Sequence, residues 1–137
     1  MLHHRGEQTL LEALGLDPIA EDRIVLSDGR DLDPPEREAL AVSRVKLIDT
    51  DELSRFEPDG PLYVHFDCDV VRLEDSPAQS YPAPGGPSAE ILERIFRLLA
   101  ASGAVVAVSL SAWNPRLPGA DRSRAVTLRL MDALLAS

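Results

Sequence analysis

Apolar residues along the chain form short continuous runs separated by segments with helical spacing. The runs are rich in Val, Ile and Leu and are closed by turn residues, so each predicts a β-strand. The third run is continuously apolar, which is typical of a strand buried on both faces in a parallel sheet. The four predicted strands are Arg23–Ser27, Val45–Ile48, Pro61–Asp69 and Ala104–Leu110.

The segments between the runs carry helix signals. Asp33 followed by Pro34 and by Glu36 predicts a helix start that leads to about Ser43. Ser88 is a second predicted N-cap, and Gly103 is the expected stop. Further helices are predicted at Thr9–Leu16, at Asp49–Phe56 and after an N-cap at Asp121. The predicted inward stripes are Ile91, Leu92, Ile95, Phe96 and Leu99 in one helix, and Leu128, Met131, Leu134 and Leu135 in the last.

Strands and helices that alternate in this way predict an α/β fold. Right-handed crossovers would give a parallel sheet with helices on both faces. No repeat or linker divides the chain, so residues 1–137 are expected to form a single domain. The segment from Arg72 to Pro87 holds four prolines and reads as a long loop, which in a compact domain is usually functional or disordered.

The composition of the chain argues against several classes of protein, including nucleic-acid-binding and membrane-spanning proteins. The formal net charge is −9, and so acidic a surface disfavours nucleic-acid binding. No apolar run approaches the length of a membrane span, and the N-terminus does not resemble a signal peptide. Cys68 is the only cysteine, so an intrachain disulfide is excluded. A cytoplasmic protein is expected.

The segment from His65 to Asp69 carries the strongest candidate chemistry. Alternation along a strand would put His65, Asp67 and Asp69 on one side, at the carboxyl end where open α/β sheets bind ligands. Two carboxylates there could share a hard divalent cation such as Mn²⁺ or Mg²⁺. Alternatively, they begin a solvated loop and cap nearby backbone groups.

Three other residues could be either structural or functional, namely His65, Cys68 and Trp113. His65 is interpreted as a packed or hydrogen-bonded strand residue rather than a ligand. Cys68 should point toward helices as a buried apolar residue rather than a nucleophile, because no cation or helix N-terminus activates it. Trp113 could line a pocket, although the favoured interpretation is that it covers the core.

Four blocks of the chain resemble the arginase/agmatinase (ureohydrolase) family. The strand through Asp69 resembles the family's Phe-Asp-x-Asp strand, and the segment after Pro77 resembles the Pro/Gly-rich loop that follows it. Gly29–Glu36 is similar to the Gly-x-Arg-Asp-x-Asp-Pro-x-Glu segment, and Val106–Pro115 to the last strand, which normally ends Glu-x-Asn-Pro. The blocks fall in the family's order and correspond to its C-terminal half.

The resemblance implies a chemistry. Ureohydrolases split the C–N bond of a guanidino or amidine group with a hydroxide that bridges two Mn²⁺ ions. By resemblance, Asp67 would bridge both ions and Asp69 would bind one. The family's other ligands, a His and an Asp-x-His-x-Asp cluster, belong upstream of the matched region. His3 and His4 lack that spacing and are expected to be exposed.

Two departures from the family pattern weaken the catalytic prediction. Ala112 stands where the family has the Glu that contacts the substrate guanidinium. Arg72-Leu73 replaces the Asp-Pro that follows the strand. Arg72 could pair with Asp69 or Asp75 and so partly replace the positive charge of a metal ion. The isolated chain is therefore expected to be incomplete or inactive as a hydrolase. The alternative is a non-catalytic binding or assembly module.

A cut ureohydrolase sheet would expose a strand edge and an apolar face. The sequence therefore predicts self-association, or pairing with a polypeptide that carries the missing N-terminal half. A rearranged smaller sheet that stands alone is the remaining possibility.

Overall fold

The computed structural model describes residues 12–136. These residues fall into two compact units, one up to Ile48 and one from Asp49 onward. The predicted single domain stays a prediction. His3, His4 and residues 9–11 of the first predicted helix lie outside the described residues; residues 12–14 are helical and Gly15 follows with φ +64°.

The regular elements occur where the sequence predicts them, with shifts of one to two residues at most ends. The strands are β1 (Val25–Ser27), β2 (Lys46–Ile48), β3 (Leu62–Asp67) and β4 (Val105–Ser111). The α-helices are α1 (Pro34–Val42), α2 (Thr50–Leu53), α3 (Ala89–Ala101) and α4 (Ala120–Leu135). Short 3₁₀ turns occupy Glu21–Arg23 and Cys68–Val70.

The first unit is a βαβ arrangement. β1 and β2 pair in parallel, with Leu26 opposite Leu47, and α1 connects them. The predicted start of α1 is confirmed, because the Asp33 amide donates to Glu36 Oε2 at 3.0 Å. After β1 the backbone turns at Asp28, whose φ is +59° and whose carboxylate pairs with Arg30.

The second unit repeats the arrangement with a larger core. β3 and β4 pair in parallel with α3 as the crossover. Phe66 packs edge-on against Phe96, with ring centroids 5.1 Å apart. The core adds the apolar faces of α3 and α4, namely Leu92, Ile95, Leu99, Leu130, Ala133 and Leu134. The predicted α/β fold with parallel strands and helices is therefore confirmed.

The last helix differs from its prediction in two ways. It begins at Ala120 rather than after Asp121, because Gly119 is the N-cap with φ +80° and its carbonyl accepts the Ser123 amide at 3.0 Å. Its buried face contains Ser123, Thr127, Leu130 and Leu134, whereas Leu128 and Leu135 are exposed. The predicted inward position is therefore confirmed for Met131 and Leu134 and wrong for Leu128 and Leu135, because two hydroxyl residues occupy buried positions on that face.

The helices of the described part of the chain are short or amphipathic. None of them, within residues 12–136, is long and apolar enough to cross a bilayer.

Candidate functional site

Asp67 is the last residue of β3 and lies opposite Ser111, the last residue of β4. It therefore sits at the carboxyl end of a parallel pair, as predicted from the sequence. Its Oδ1 atom is buried and has no hydrogen-bond partner. A buried carboxylate oxygen normally has a partner, so this atom is open to a donor or a cation.

Asp69 lies beyond the end of the strand. β3 ends at Asp67, and Cys68–Val70 form a 3₁₀ turn. The prediction that period-two alternation carries on through Asp69 was therefore wrong, because the backbone leaves the extended conformation after Asp67. The assignment of Asp67 and Asp69 as joint metal ligands remains a proposal.

Cys68 is buried and faces α4, as predicted. The Thr127 hydroxyl donates to Cys68 Sγ at 3.5 Å. Burial raises the pKa of the Cys68 thiol, the bond from Thr127 opposes the rise, and the charges of Asp67 and Asp69 add to it. The thiol is therefore kept protonated, which agrees with a structural rather than a nucleophilic cysteine.

His65 is an exposed strand residue held between two serine hydroxyls of β4. Its Nδ1 lies 2.7 Å from Ser109 Oγ, and its Nε2 lies 3.2 Å from Ser111 Oγ. The Tyr63 hydroxyl also reaches Ser109 Oγ, at 2.5 Å. The interpretation of His65 as a hydrogen-bonded strand residue is confirmed, and the structure identifies its two serine partners, which the strand pattern did not reveal.

Arg72 pairs with Asp75, one of the two partners predicted for it. Arg72 Nε donates to Asp75 Oδ2 at 2.8 Å, and the amide of Ala89 donates to the same oxygen at 2.9 Å. The Ala89 amide, the Arg72 guanidinium and its charge together hold the pKa of Asp75 below its ordinary value. Asp75 thus fastens the segment after Asp69 to the start of α3.

The Pro/Gly-rich loop is ordered and partly buried. The Gln79 side chain donates to the Val71 carbonyl at 2.6 Å, while its Oε1 is buried without a partner. The amide of Ala78 donates to Ser123 Oγ at 2.9 Å. The sequence analysis did not predict the burial of Gln79 in the loop or of Ser123 in the last helix, because polar side chains signal exposure in a linear pattern.

The segment after β4 closes against this loop. Gln79 and Trp113 form an isolated antiparallel bridge, and Asn114 Nδ2 donates to Ser80 Oγ at 3.0 Å. Trp113 is 39% exposed, so it covers its surroundings only in part. Ala112 is exposed and has φ +64°, a conformation unusual for alanine. Its methyl group offers no charged or polar contact to a ligand.

The Mn²⁺ centre that the resemblance implies needs several ligands close together. Within residues 12–136, no three His, Cys, Asp or Glu side chains lie together in a way that could hold a metal ion. The unpartnered oxygen of Asp67 suits a single coordination bond, but structural and catalytic metal sites need more ligands than that. These residues do not by themselves fit a two-metal centre.

Comparison with known proteins identifies the protein family that this chain resembles. The sequence profile of the arginase family matches residues 17–136. The chain is 33% identical over 132 residues to arginase from Brucella melitensis, covering 86% of this chain and 43% of that one. The chain thus spans less than half the length of that relative.

Solved structures agree on the fold. Arginase from Bacillus subtilis superposes with a TM-score of 0.82 at 21% identity, covering 95% of this chain and 49% of that one. Formimidoylglutamase from Bacillus subtilis gives a TM-score of 0.76 at 14% identity, covering 93% and 44%. The profile match, which extends over most of the sequence, shows that the chain belongs to the arginase family.

Proposed function

We propose that this chain is an arginase-family, ureohydrolase-like domain that does not hydrolyse guanidino or amidine C–N bonds on its own. Ala112 carries the proposal. The family pattern has a glutamate there to pair with the substrate guanidinium, and an exposed methyl group on a left-handed backbone cannot replace that charge-assisted contact.

The two carboxylates kept from the family pattern suit a weakly bound cation. Asp67 has an unpartnered buried oxygen, which favours some affinity for a cation, and Asp69 lies two residues away on the 3₁₀ turn. We propose Mn²⁺ as the ion, held weakly, since hard divalent ions prefer oxygen ligands and the affinity grows with the number of ligands.

A titration with MnCl₂ by calorimetry tests the proposal, alongside an assay for urea release from arginine and agmatine. We expect weak binding to the wild type, none to Asp67→Ala, and no urea above a blank without protein. Asp121→Ala is the matched control, because the Asp121 side chain is fully exposed, and it should bind as the wild type does. Urea release at the rate of a working arginase would contradict the proposal.

A non-catalytic binding or assembly module is the second candidate. The Pro/Gly-rich loop favours a binding module. Four of its residues are buried, namely Ser76, Ala78, Gln79 and Ala83, and hydrogen bonds from Ala78 and Gln79 hold it in place. That loop is held in place by its own contacts, as a rigid binding surface requires.

Association with a second polypeptide is compatible with both candidate functions. We propose that the chain self-associates or pairs with a polypeptide that carries the remaining half of the fold, since it spans less than half of the arginase that it matches. A cytoplasmic location is part of the proposal, because a lone buried cysteine suits a reducing compartment.

A further inference from the structure

Four polar side chains on one face of the β3–β4 pair form a continuous hydrogen-bonded row. Tyr63 and His65 alternate along β3, and Ser109 and Ser111 alternate along β4, so all four lie on the same side of the strands. The side chain of His65 is exposed and that of Ser111 is half-buried, so a small molecule in solvent can reach both. We call these four residues the hydroxyl–imidazole row.

The imidazole of His65 lies at the centre of the row, with one hydroxyl at each ring nitrogen. Its Nδ1 is 2.7 Å from Ser109 Oγ, and its Nε2 is 3.2 Å from Ser111 Oγ. The Tyr63 hydroxyl, 2.5 Å from Ser109 Oγ, gives Ser109 a second partner. A neutral imidazole has one donor and one acceptor nitrogen. When the hydrogen is on Nδ1, Ser109 accepts it and the lone pair of Nε2 faces the Ser111 hydroxyl.

Ser111, His65 and Ser109 thus occupy the three positions of an activated serine nucleophile. Such a nucleophile lies within about 2.6–3.2 Å of its base, and a third group orients the base. This constellation recurs on unrelated folds and is recognised by the geometry and roles of its members. Here Ser109 takes the third position and accepts the Nδ1 hydrogen with a neutral hydroxyl group.

The backbone at Ser111 has two properties of a reactive site. Ser111 is the last residue of β4, at the carboxyl end of the parallel pair, where α/β sheets bind ligands. Ala112 follows it with a φ of +64°, a left-handed conformation that alanine seldom adopts. Residues other than glycine in this conformation cluster at active sites, where the surrounding structure holds them against the strain.

We propose that Ser111 is a nucleophile toward small activated carboxylic esters, with His65 as its general base and Ser109 as the residue that positions the imidazole. The Ser111 oxygen bonds to the ester carbonyl carbon as its proton passes to His65 Nε2. The bond to the leaving oxygen then breaks, and that oxygen takes the proton. Water next attacks the acyl-serine and passes a proton to Nε2, and His65 returns it to Ser111 as the carboxylic acid leaves.

The class of ester follows from the openness of this face. The row lies on an exposed strand face, which offers little surface to hold a large acyl group. An activated phenol is a good leaving group, so weak binding of the ester still permits a measurable rate. The reaction uses neither a metal ion nor a charged group at position 112, so it goes beyond ureohydrolase chemistry.

Release of p-nitrophenolate from p-nitrophenyl acetate by the full chain tests the proposal. We expect Ser111→Ala and His65→Gln each to lower the rate about tenfold or more, since each removes one member of the nucleophile–base pair. Ser54→Ala is the matched control. Ser54 is also half-buried, but its hydroxyl donates to the Asp51 carbonyl at 2.6 Å, so its loss should leave the rate unchanged.

Labelling with diisopropyl fluorophosphate locates the reacting atom. A serine oxygen displaces fluoride from phosphorus and keeps a stable phosphoryl group, which peptide mass spectrometry assigns to one residue. We expect the label on Ser111 of the wild type and much less of it in His65→Gln. This measurement needs no variant of Ser111, so it still decides the matter should Ser111→Ala fail to fold.

The positioning role of Ser109 has a spectroscopic signature. Nitrogen NMR distinguishes a protonated ring nitrogen from a bare one. We expect Nδ1 of His65 to carry the hydrogen in the wild type and to lose that preference in Ser109→Ala, a change that a merely structural serine would not cause. A wild type with the hydrogen on Nε2 would overturn the base role of His65.

The remaining outcomes also decide. A wild-type rate equal to the buffer blank, a rate that Ser111→Ala leaves unchanged, or label on other residues alone would each overturn the nucleophile. An equal fall in Ser54→Ala would trace the rate to general loss of structure and would overturn it too. Manganese binding and urea release are measured separately, so failure of this proposal is distinguishable from failure of the proposed function.

Discussion

At the scale of single residues, Asp75 connects the candidate site to the frame of the second unit. One of its oxygens accepts bonds from both Arg72 and the first amide of α3. That amide belongs to the group of helix N-terminal donors that have no partner within the helix. The carboxylate also lies where the positive end of the helix dipole favours negative charge.

Replacing Asp75 should destabilise the protein more than replacing Arg72. Asp75→Ala removes both bonds and leaves the Ala89 amide without its acceptor, which we expect to lower the free energy of unfolding by about 1 kcal/mol. Arg72→Ala removes only an exposed ion pair and should have a smaller effect. Urea unfolding of the two variants measures both. An equal loss in the two variants would contradict the role assigned to the Ala89 amide.

The same residue gives the wild type a pH dependence that its variant lacks. The folded pKa of Asp75 lies below its ordinary value of 3.8, so the stabilisation is complete above that value and is lost as the pH falls through the folded pKa. The difference in melting temperature between the wild type and Asp75→Ala should therefore begin to shrink as the pH falls below 3.8 and should vanish only below the folded pKa. A constant difference down to the lowest pH would count against an ionic role.

At the scale of elements, the orientation of α4 follows from which of its faces is buried. Ser123 and Thr127 occupy that face together with Leu130 and Leu134, and their hydroxyls meet groups of the loop and of Cys68. The apolar residues of α4 thus divide between the core and the solvent. Hydrophobicity alone does not identify which of its leucines holds the helix in place.

Two leucines of α4 make a matched pair for testing this orientation. Leu130 is fully buried and Leu128 is 54% exposed. Leu130→Ala should lower the free energy of unfolding by about 2–5 kcal/mol, because it opens a cavity in the core. Leu128→Ala should change it far less. Chemical denaturation of both variants checks the order, and similar losses would show that the face of α4 is wrongly assigned.

At the scale of the whole molecule, the two units differ in how much apolar surface they bury. Among the described residues of the first unit, Ile48 is the buried apolar side chain, whereas the core of the second unit draws on β3, α3 and α4. Segments with few buried apolar contacts open at lower free energy.

Hydrogen exchange should therefore show that the first unit opens more readily than the second. We expect amides of β1 and β2 to exchange faster than those of β3 and β4, since little buried apolar surface opposes local opening of the first unit. Mass spectrometry of peptides from residues 24–48, 62–67 and 105–111 provides the comparison. Equal protection throughout would mean that the chain opens as one cooperative unit, which would favour the predicted single domain.

The local signals in the sequence determined the elements. Apolar runs located the strands, and the N-caps Asp33, Asp49 and Ser88 begin their helices in the structure. These signals depend on neighbours a few residues apart, which is why the linear pattern contains them. The same pattern led to the arginase-family resemblance, the carboxyl-end position of Asp67 and the pairing of Arg72 with Asp75.

The tertiary structure decided the contacts between residues distant in sequence. The burial of Ser123 and Gln79, the bond from Thr127 to Cys68 and the bonds between β3 and β4 that fix His65 depend on which segments meet in space. A polar residue signals exposure in a linear pattern, and only a partner brought close by folding makes its burial favourable. The end of β3 at Asp67 was likewise decided by the turn that follows it.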